Sequence, residues 1–269
     1  MPARTDRTTD PELRAGLLLA RRGQAYFSRK LNELPGDRLD EPSLVAGWTR
    51  RHVVAHVGLN ARALTRLTAW AATGVETPMY RSPEERDAEI EFAATLPARA
   101  LRNLCAHGAV HLDVEWRDLP EEAWRAPVRT ALGRVVPASE TVWMRTREVW
   151  VHAVDLDSGG TFADFPPELL DALLADVAGA WRRRLGPAEL PRLVLEPTDR
   201  DHAVPIDGSA HMGRNGVVGV GWESISDEHV DTVTLRGTAA ELARWATGRG
   251  AGGVVASGGG AVPAPPRWL

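Results

Sequence analysis

Two segments far apart in the chain could do chemistry together. They are Gly47-Trp48-Thr49-Arg50-Arg51-His52-Val53-Val54-Ala55-His56 and Arg147-Glu148-Val149-Trp150-Val151-His152-Ala153-Val154-Asp155. In the second, Glu148 and His152 stand at i and i+4, so their side chains leave one helix face from neighbouring points. One histidine of the first segment completes a His/Glu/His set. That is the donor set of a divalent metal site with three protein ligands and one coordination position left for a reactant. An E-x-x-x-H pair alone is weak evidence, because a solvated glutamate beside a surface histidine explains most such pairs. Here Val149, Val151, Ala153 and Val154 make the surroundings apolar. Charged groups in such a helix cost free energy unless compensated, and a bound cation compensates them.

The identity of the third ligand is open on spacing alone. His52 and His56 form one pair a turn apart, and His107 and His111 form another. His52 falls in the first turn of its helix after two arginines, where capping or exposure explains it. His56 is a turn deeper, level with apolar neighbours. His107 and His111 suit the outer face of their helix. Asp155, one turn beyond His152, could orient that ring, although a surface salt bridge explains it slightly better. Gly248-Arg249-Gly250-Ala251-Gly252-Gly253 matches G-x-G-x-x-G formally. A dinucleotide loop follows a strand and opens a helix, whereas this one closes a helix. Its content is Arg249, carried on a flexible backbone that can approach an anionic substrate; an ordinary helix-terminating loop is the plain alternative.

These groups need elements to hold them. Asp10-Pro11-Glu12 starts a helix that runs to about Leu34, before Pro35-Gly36. Thr49 caps a second long helix from Arg50 to about Ala72, with Val53, Val57, Leu64 and Leu67 on its core stripe. Ser82-Pro83-Glu84-Glu85 opens a short helix over roughly 83–95. A longer one from Pro97 carries Leu101, Leu104, Leu112 and Trp116, and Pro137-Ala138-Ser139-Glu140 opens the helix holding Glu148 and His152. Residues 1–160 therefore read as a four-helix bundle without strands. Beyond Gly160 the pattern changes. A helix from Pro166-Pro167 to about Leu185 precedes strand-like runs at Arg192–Glu196, Val217–Val220 and Thr232–Leu235, and Thr238 caps a last helix through Ala246. Residues 161–269 thus read as a small α+β domain. Its Gly/Pro-rich end, Ser257 to Pro266, is expected to be extended, on the surface or across the domain junction. The fold class is mainly α, with an α+β C-terminal part.

Composition limits the function. The 269 residues carry 43% hydrophobic and 25% charged side chains, as soluble globular proteins do. A net charge of −4 gives no reason to expect a nucleic-acid partner. The early apolar run Leu17–Ala20 is too short for a signal-peptide core or a membrane span, so a cytoplasmic protein is expected. Cys105 is the only cysteine, which excludes an intrachain disulfide and a thiolate metal cluster, and it reads as a packing residue.

The sequence resembles the mycothiol-dependent maleylpyruvate isomerases over nearly its whole length. The likeness runs through Gly47-Trp48-Thr49-Arg50, Gly74-Val75-Glu76-Thr77-Pro78-Met79-Tyr80, Ala100–Leu104, Pro137–Thr141, Arg147–Leu156, Ala246–Gly250 and the Pro265-Pro266-Arg267-Trp268-Leu269 end. The polar stretch from about Thr198 to Asn215 is longer than the family pattern. The resemblance implies a metal-binding bundle with ligands at His56, Glu148 and His152, His52 outside the coordination sphere, and a catalytic arginine at Arg249. It implies zinc and mycothiol as cofactors, and isomerisation of maleylpyruvate, a dicarboxylate, to fumarylpyruvate in gentisate catabolism. The chemistry is coherent with the residues. A double bond rotates only once made single, and conjugate addition of a thiolate does this before elimination returns the trans alkene. The chain has no suitable thiol of its own, a metal holds an external thiol as thiolate, and Arg249 could stabilise the enolate. Competing readings are another thiol-dependent S-transferase, a metal-dependent hydrolase on the same bundle, and a non-catalytic zinc-binding regulatory module.

Overall fold

The computed structural model describes residues 5–185, 192–206 and 232–268, which form two compact units, Met1–Gly160 and Thr161–Leu269. In the first unit α1 (Pro11–Asn32), α2 (Arg50–Thr73), α3 (Pro83–Ala94), α4 (Ala98–Asp118) and α5 (Glu140–Asp155) follow one another, with α2 against α4 and α5, and α1 against α5. The ends form where the local chemistry requires. The Asp10 carboxylate accepts from the Glu12 and Leu13 amides at 2.9 and 3.1 Å, and Ser82 accepts from Glu85 at 3.2 Å. Gly74 stops α2 at φ +74°, a left-handed conformation that a side chain disfavours.

The inward faces follow the expected stripes. Val53, Val57, Leu64 and Leu67 on α2 are fully buried, as are Leu101 and Leu112 on α4. Two crossings depend on missing side chains. A Cβ at Gly108 would lie 2.9 Å from the Gly58 carbonyl oxygen, so α2 and α4 approach backbone to backbone. A Cβ at Gly23 would lie 2.5 Å from the Trp150 ring, which fills that space between α1 and α5.

The strand-free expectation for residues 1–160 is corrected by a hairpin, β1 (Pro127–Arg129) with β2 (Val135–Pro137), in the register Val128↔Val136. Each strand has three residues, with only the central one buried. That is too short for alternation to register in a sequence.

In the second unit α6 (Pro167–Arg184) precedes β3 (Leu193–Pro197), β4 (Val204–Ile206), β5 (Val233–Gly237), α7 (Ala239–Ala246) and β6 (Val255–Ala256). The sheet order is β4-β3-β5-β6, with β3 and β5 parallel and the outer pairs antiparallel. The mainly helical architecture with a small mixed C-terminal part is therefore as read from the sequence. The strand-like run Val217–Val220 and the second half of the polar 198–215 stretch, from residue 207 on, lie outside the described residues. The extended C-terminal segment is held within this unit. The Trp181 and Trp245 indoles donate to the carbonyls of Pro266 and Pro263 at 3.0 and 2.8 Å, and Arg184 donates to that of Trp268 at 2.6 Å.

Candidate metal centre

α2 and α5 are long amphipathic helices packed side by side, and they carry His56 and the Glu148/His152 pair to one point. Glu148 Oε2 lies 2.8 Å from His56 Nε2 and 3.2 Å from His152 Nε2. One potential donor atom from each residue lies within 4.8 Å of the others. The two rings are nearly perpendicular, with centroids 4.9 Å apart. Trp48 forms a wall beside His56, at 5.5 Å between ring centroids.

Asp155 is fully buried and its Oδ2 lies 2.8 Å from His152 Nδ1. The surface salt bridge preferred from the sequence is therefore corrected. Asp155 turns inward because it occupies the last turn of α5 beside the buried Val154 and Leu156. A carboxylate on Nδ1 fixes the tautomer that leaves Nε2 as the donor atom.

Burial disfavours the charged form of every group here, and the pairing decides which charges survive. For His56 burial prevails and its pKa is lowered, so the ring is neutral. For His152 burial is outweighed by hydrogen bonds to Asp155 and Glu148, which carry its pKa up to about 9. For Glu148 burial is likewise outweighed, by its pairing and hydrogen bonds with the two histidines, and its pKa falls well below the usual carboxylate value. In metal-free protein the His152 imidazolium thus stabilises the fold fully below its unfolded pKa of 6.5. That stability is lost as the pH rises through about 9. Chelator-treated protein is expected to show a thermal midpoint that declines between pH 6.5 and 9, and His152→Gln is expected to flatten that decline. Equal slopes for both proteins would show that His152 carries no such charge.

The other histidines are placed elsewhere. His52 Nδ1 accepts from the Thr49 amide at 3.2 Å, closing the helix start, and its Nε2 is 3.3 Å from Glu91. His111 is exposed, 3.5 Å from Glu115, and His107 is exposed on the outer face of α4. Cys105 is buried, its thiol pushed up to about 12 by burial, and its Sγ donates to the Val54 carbonyl at 3.0 Å. Arg249 belongs to the second unit, on the loop after α7 between Gly248 (φ +82°) and Gly250 (φ +102°), with its guanidinium donating to the Thr247 carbonyl.

Sequence reasoning missed the buried charged group nearest Glu148 along α5. Arg145, 2% exposed, lies one turn before Glu148 on α5. It donates to the Val57 carbonyl at 2.7 Å, to Asn60 Oδ1 at 2.9 Å and to Gln24 Oε1 at 2.8 Å. The signal available was its i−3 spacing from Glu148, which places both on one face.

A bundle that gathers two imidazoles and a carboxylate inside its core, followed by a small α+β unit, defines a class of helical protein with a candidate catalytic metal centre. Comparison with known proteins narrows it. Residues 20–157 match the family model described as the mycothiol maleylpyruvate isomerase N-terminal domain. A crystal structure of mycothiol-dependent maleylpyruvate isomerase is 43% identical, and that of a variant with one histidine replaced by alanine is 42% identical. Each alignment covers 95% of this chain and 97% of the other, with a TM-score of 0.83. No curated protein sequence matches significantly. The chain belongs to the mycothiol-dependent maleylpyruvate isomerases, an enzyme family. Among the described residues no helix is long and apolar enough to cross a membrane.

Proposed function

We propose that the protein catalyses cis–trans isomerisation of maleylpyruvate to fumarylpyruvate with mycothiol and zinc, as a cytoplasmic step of gentisate breakdown. The observation that carries this reading is the convergence of His56, Glu148 and His152 in a chain closely similar to that isomerase. The donor set fits a divalent ion. Two imidazoles and one carboxylate are the ligands of a three-protein-ligand catalytic zinc site, and neutral nitrogens favour zinc among borderline ions.

When bound, the ion would hold the mycothiol sulfur as thiolate, the nucleophile whose reversible addition lets the substrate double bond rotate. The chain supplies the rest. Asp155 orients His152. Arg249 supplies a guanidinium for a substrate carboxylate or the enolate oxygen. Cys105 is sealed in the core, so the sulfur chemistry falls to the external thiol.

The test is turnover of maleylpyruvate against added mycothiol, with elemental analysis of the same sample. Turnover is expected only with both thiol and stoichiometric metal. Thiol-independent turnover would replace this reading with hydrolase-type chemistry, and stoichiometric zinc without turnover would leave a regulatory module.

A further inference from the structure

Arg145 is a cation in the middle of a helical bundle whose hydrogen bonds go to neutral oxygens only, among the contacts of the described residues. Its three acceptors are the Val57 carbonyl, the Asn60 amide and the Gln24 amide. A buried guanidinium without a hydrogen-bonded carboxylate is costly. Burial brings its pKa down to about 10, with Cys105, Glu148 and Tyr80 partly offsetting that fall, so it stays charged at neutral pH. Its position is specific. Asn60 lies one turn beyond His56 on α2, and Arg145 lies one turn before Glu148 on α5. The Arg145 layer therefore adjoins the His56/Glu148 layer on both helices.

The charges around it can be assigned element by element. α1 contributes neutral Gln24, α2 contributes neutral Asn60 and His56, and α4 contributes the neutral Cys105 thiol. Tyr80 is neutral, its phenol pushed up to about 12 by burial, and Arg86 on α3 is paired with Asp87 at 2.8 Å. α5 contributes Glu148, His152 and Asp155. With a divalent ion in place, the Glu148 and Asp155 carboxylates balance it. Arg145 then leaves one positive charge in surplus.

From this arrangement we infer that Arg145 is a fixed positive charge adjoining the metal centre, which makes the site prefer an anionic fourth ligand over a neutral one. This rests on the reading that a divalent ion occupies His56, Glu148 and His152. Arg145 touches neither ligand nor reactant, so it acts through its field. The field has a distinctive sign: it opposes the cation and favours the anion. A residue that merely braces the helices would do neither.

The experiment uses the full chain and two variants. Arg145→Gln removes the charge. Asn60→Asp keeps the hydrogen bond but places a carboxylate against the guanidinium, so it neutralises Arg145 even if Arg145→Gln fails to fold. Zinc affinity is read by competition with a chelating dye, and azide affinity by the spectrum of the cobalt-substituted protein. Both variants are expected to bind zinc as tightly as the wild type or up to about tenfold more tightly, and azide about tenfold more weakly. Arg145→Lys is expected to hold azide close to the wild-type level. Unchanged azide affinity in both variants, or zinc affinity lost in both, would overturn the inference. Wild-type protein that binds no zinc would overturn the metal reading itself, and the role of Arg145 with it.

Discussion

Alanine at His56, Glu148 or His152 is expected to abolish stoichiometric zinc binding and isomerase activity together. Among the described residues these three bring potential donor atoms to one point, with Glu148 Oε2 2.8 Å from His56 Nε2 and 3.2 Å from His152 Nε2. Losing a partner that only orients a ligand typically costs 10- to 100-fold in affinity or activity, so losing a ligand is expected to cost more than about 100-fold. The variants should still fold. His56→Ala removes a ring whose buried Nδ1 has no hydrogen-bond partner among the described residues, and in Glu148→Ala the His152 ring keeps Asp155. Zinc content, turnover and helical circular dichroism of each variant check the expectation. A metal-free His152→Ala protein with full activity would end the metal-centred account.

Arg249→Ala is expected to behave in the opposite way, with full zinc content and turnover reduced by about 100- to 1,000-fold, the usual effect of removing a group that stabilises developing negative charge. The residue stands on a loop whose flanking glycines both have left-handed backbones, and its guanidinium rests on the Thr247 carbonyl within the same loop. Such a side chain can exchange a carbonyl for a carboxylate without disturbing α7. Arg249→Lys is expected to recover only part of the rate, because an ammonium cannot grip a carboxylate with two parallel bonds. Kinetics matching the wild type in Arg249→Ala would remove the residue from the mechanism.

The helices were legible because their ends carry strong local chemistry, such as Asp10 before Pro11 and Ser82 with Glu85. The Glu148/His152 pair was legible because i,i+4 spacing places both groups on one face whatever else the chain does. The choice between His52 and His56 was less so, since both satisfy the same spacing and only the place of His52 in the first turn told against it. What separates them is the use of His52 Nδ1 to accept the Thr49 amide, at the position where a capping box usually has Glu or Gln. A histidine three residues after a capping threonine could have given that signal. Asp155 and Arg145 were misjudged or missed for one reason: composition marks charged residues as surface, and only packing shows which of them turn inward. The hairpin at 127–137 was hidden because three-residue strands have no period to detect.

The sealing of Cys105 has a consequence for how such a catalyst survives its own cofactor. A protein working in the presence of a reactive small-molecule thiol is exposed to mixed-disulfide formation at every accessible sulfur, and reactivity tracks thiolate character and access. With its thiol buried against the Val54 carbonyl and ionising only near pH 12, the one sulfhydryl of this chain is withdrawn from that exchange. Oxidative stress that converts the cellular thiol pool to disulfide would therefore starve the enzyme of its cofactor while leaving the chain's one thiol unmodified.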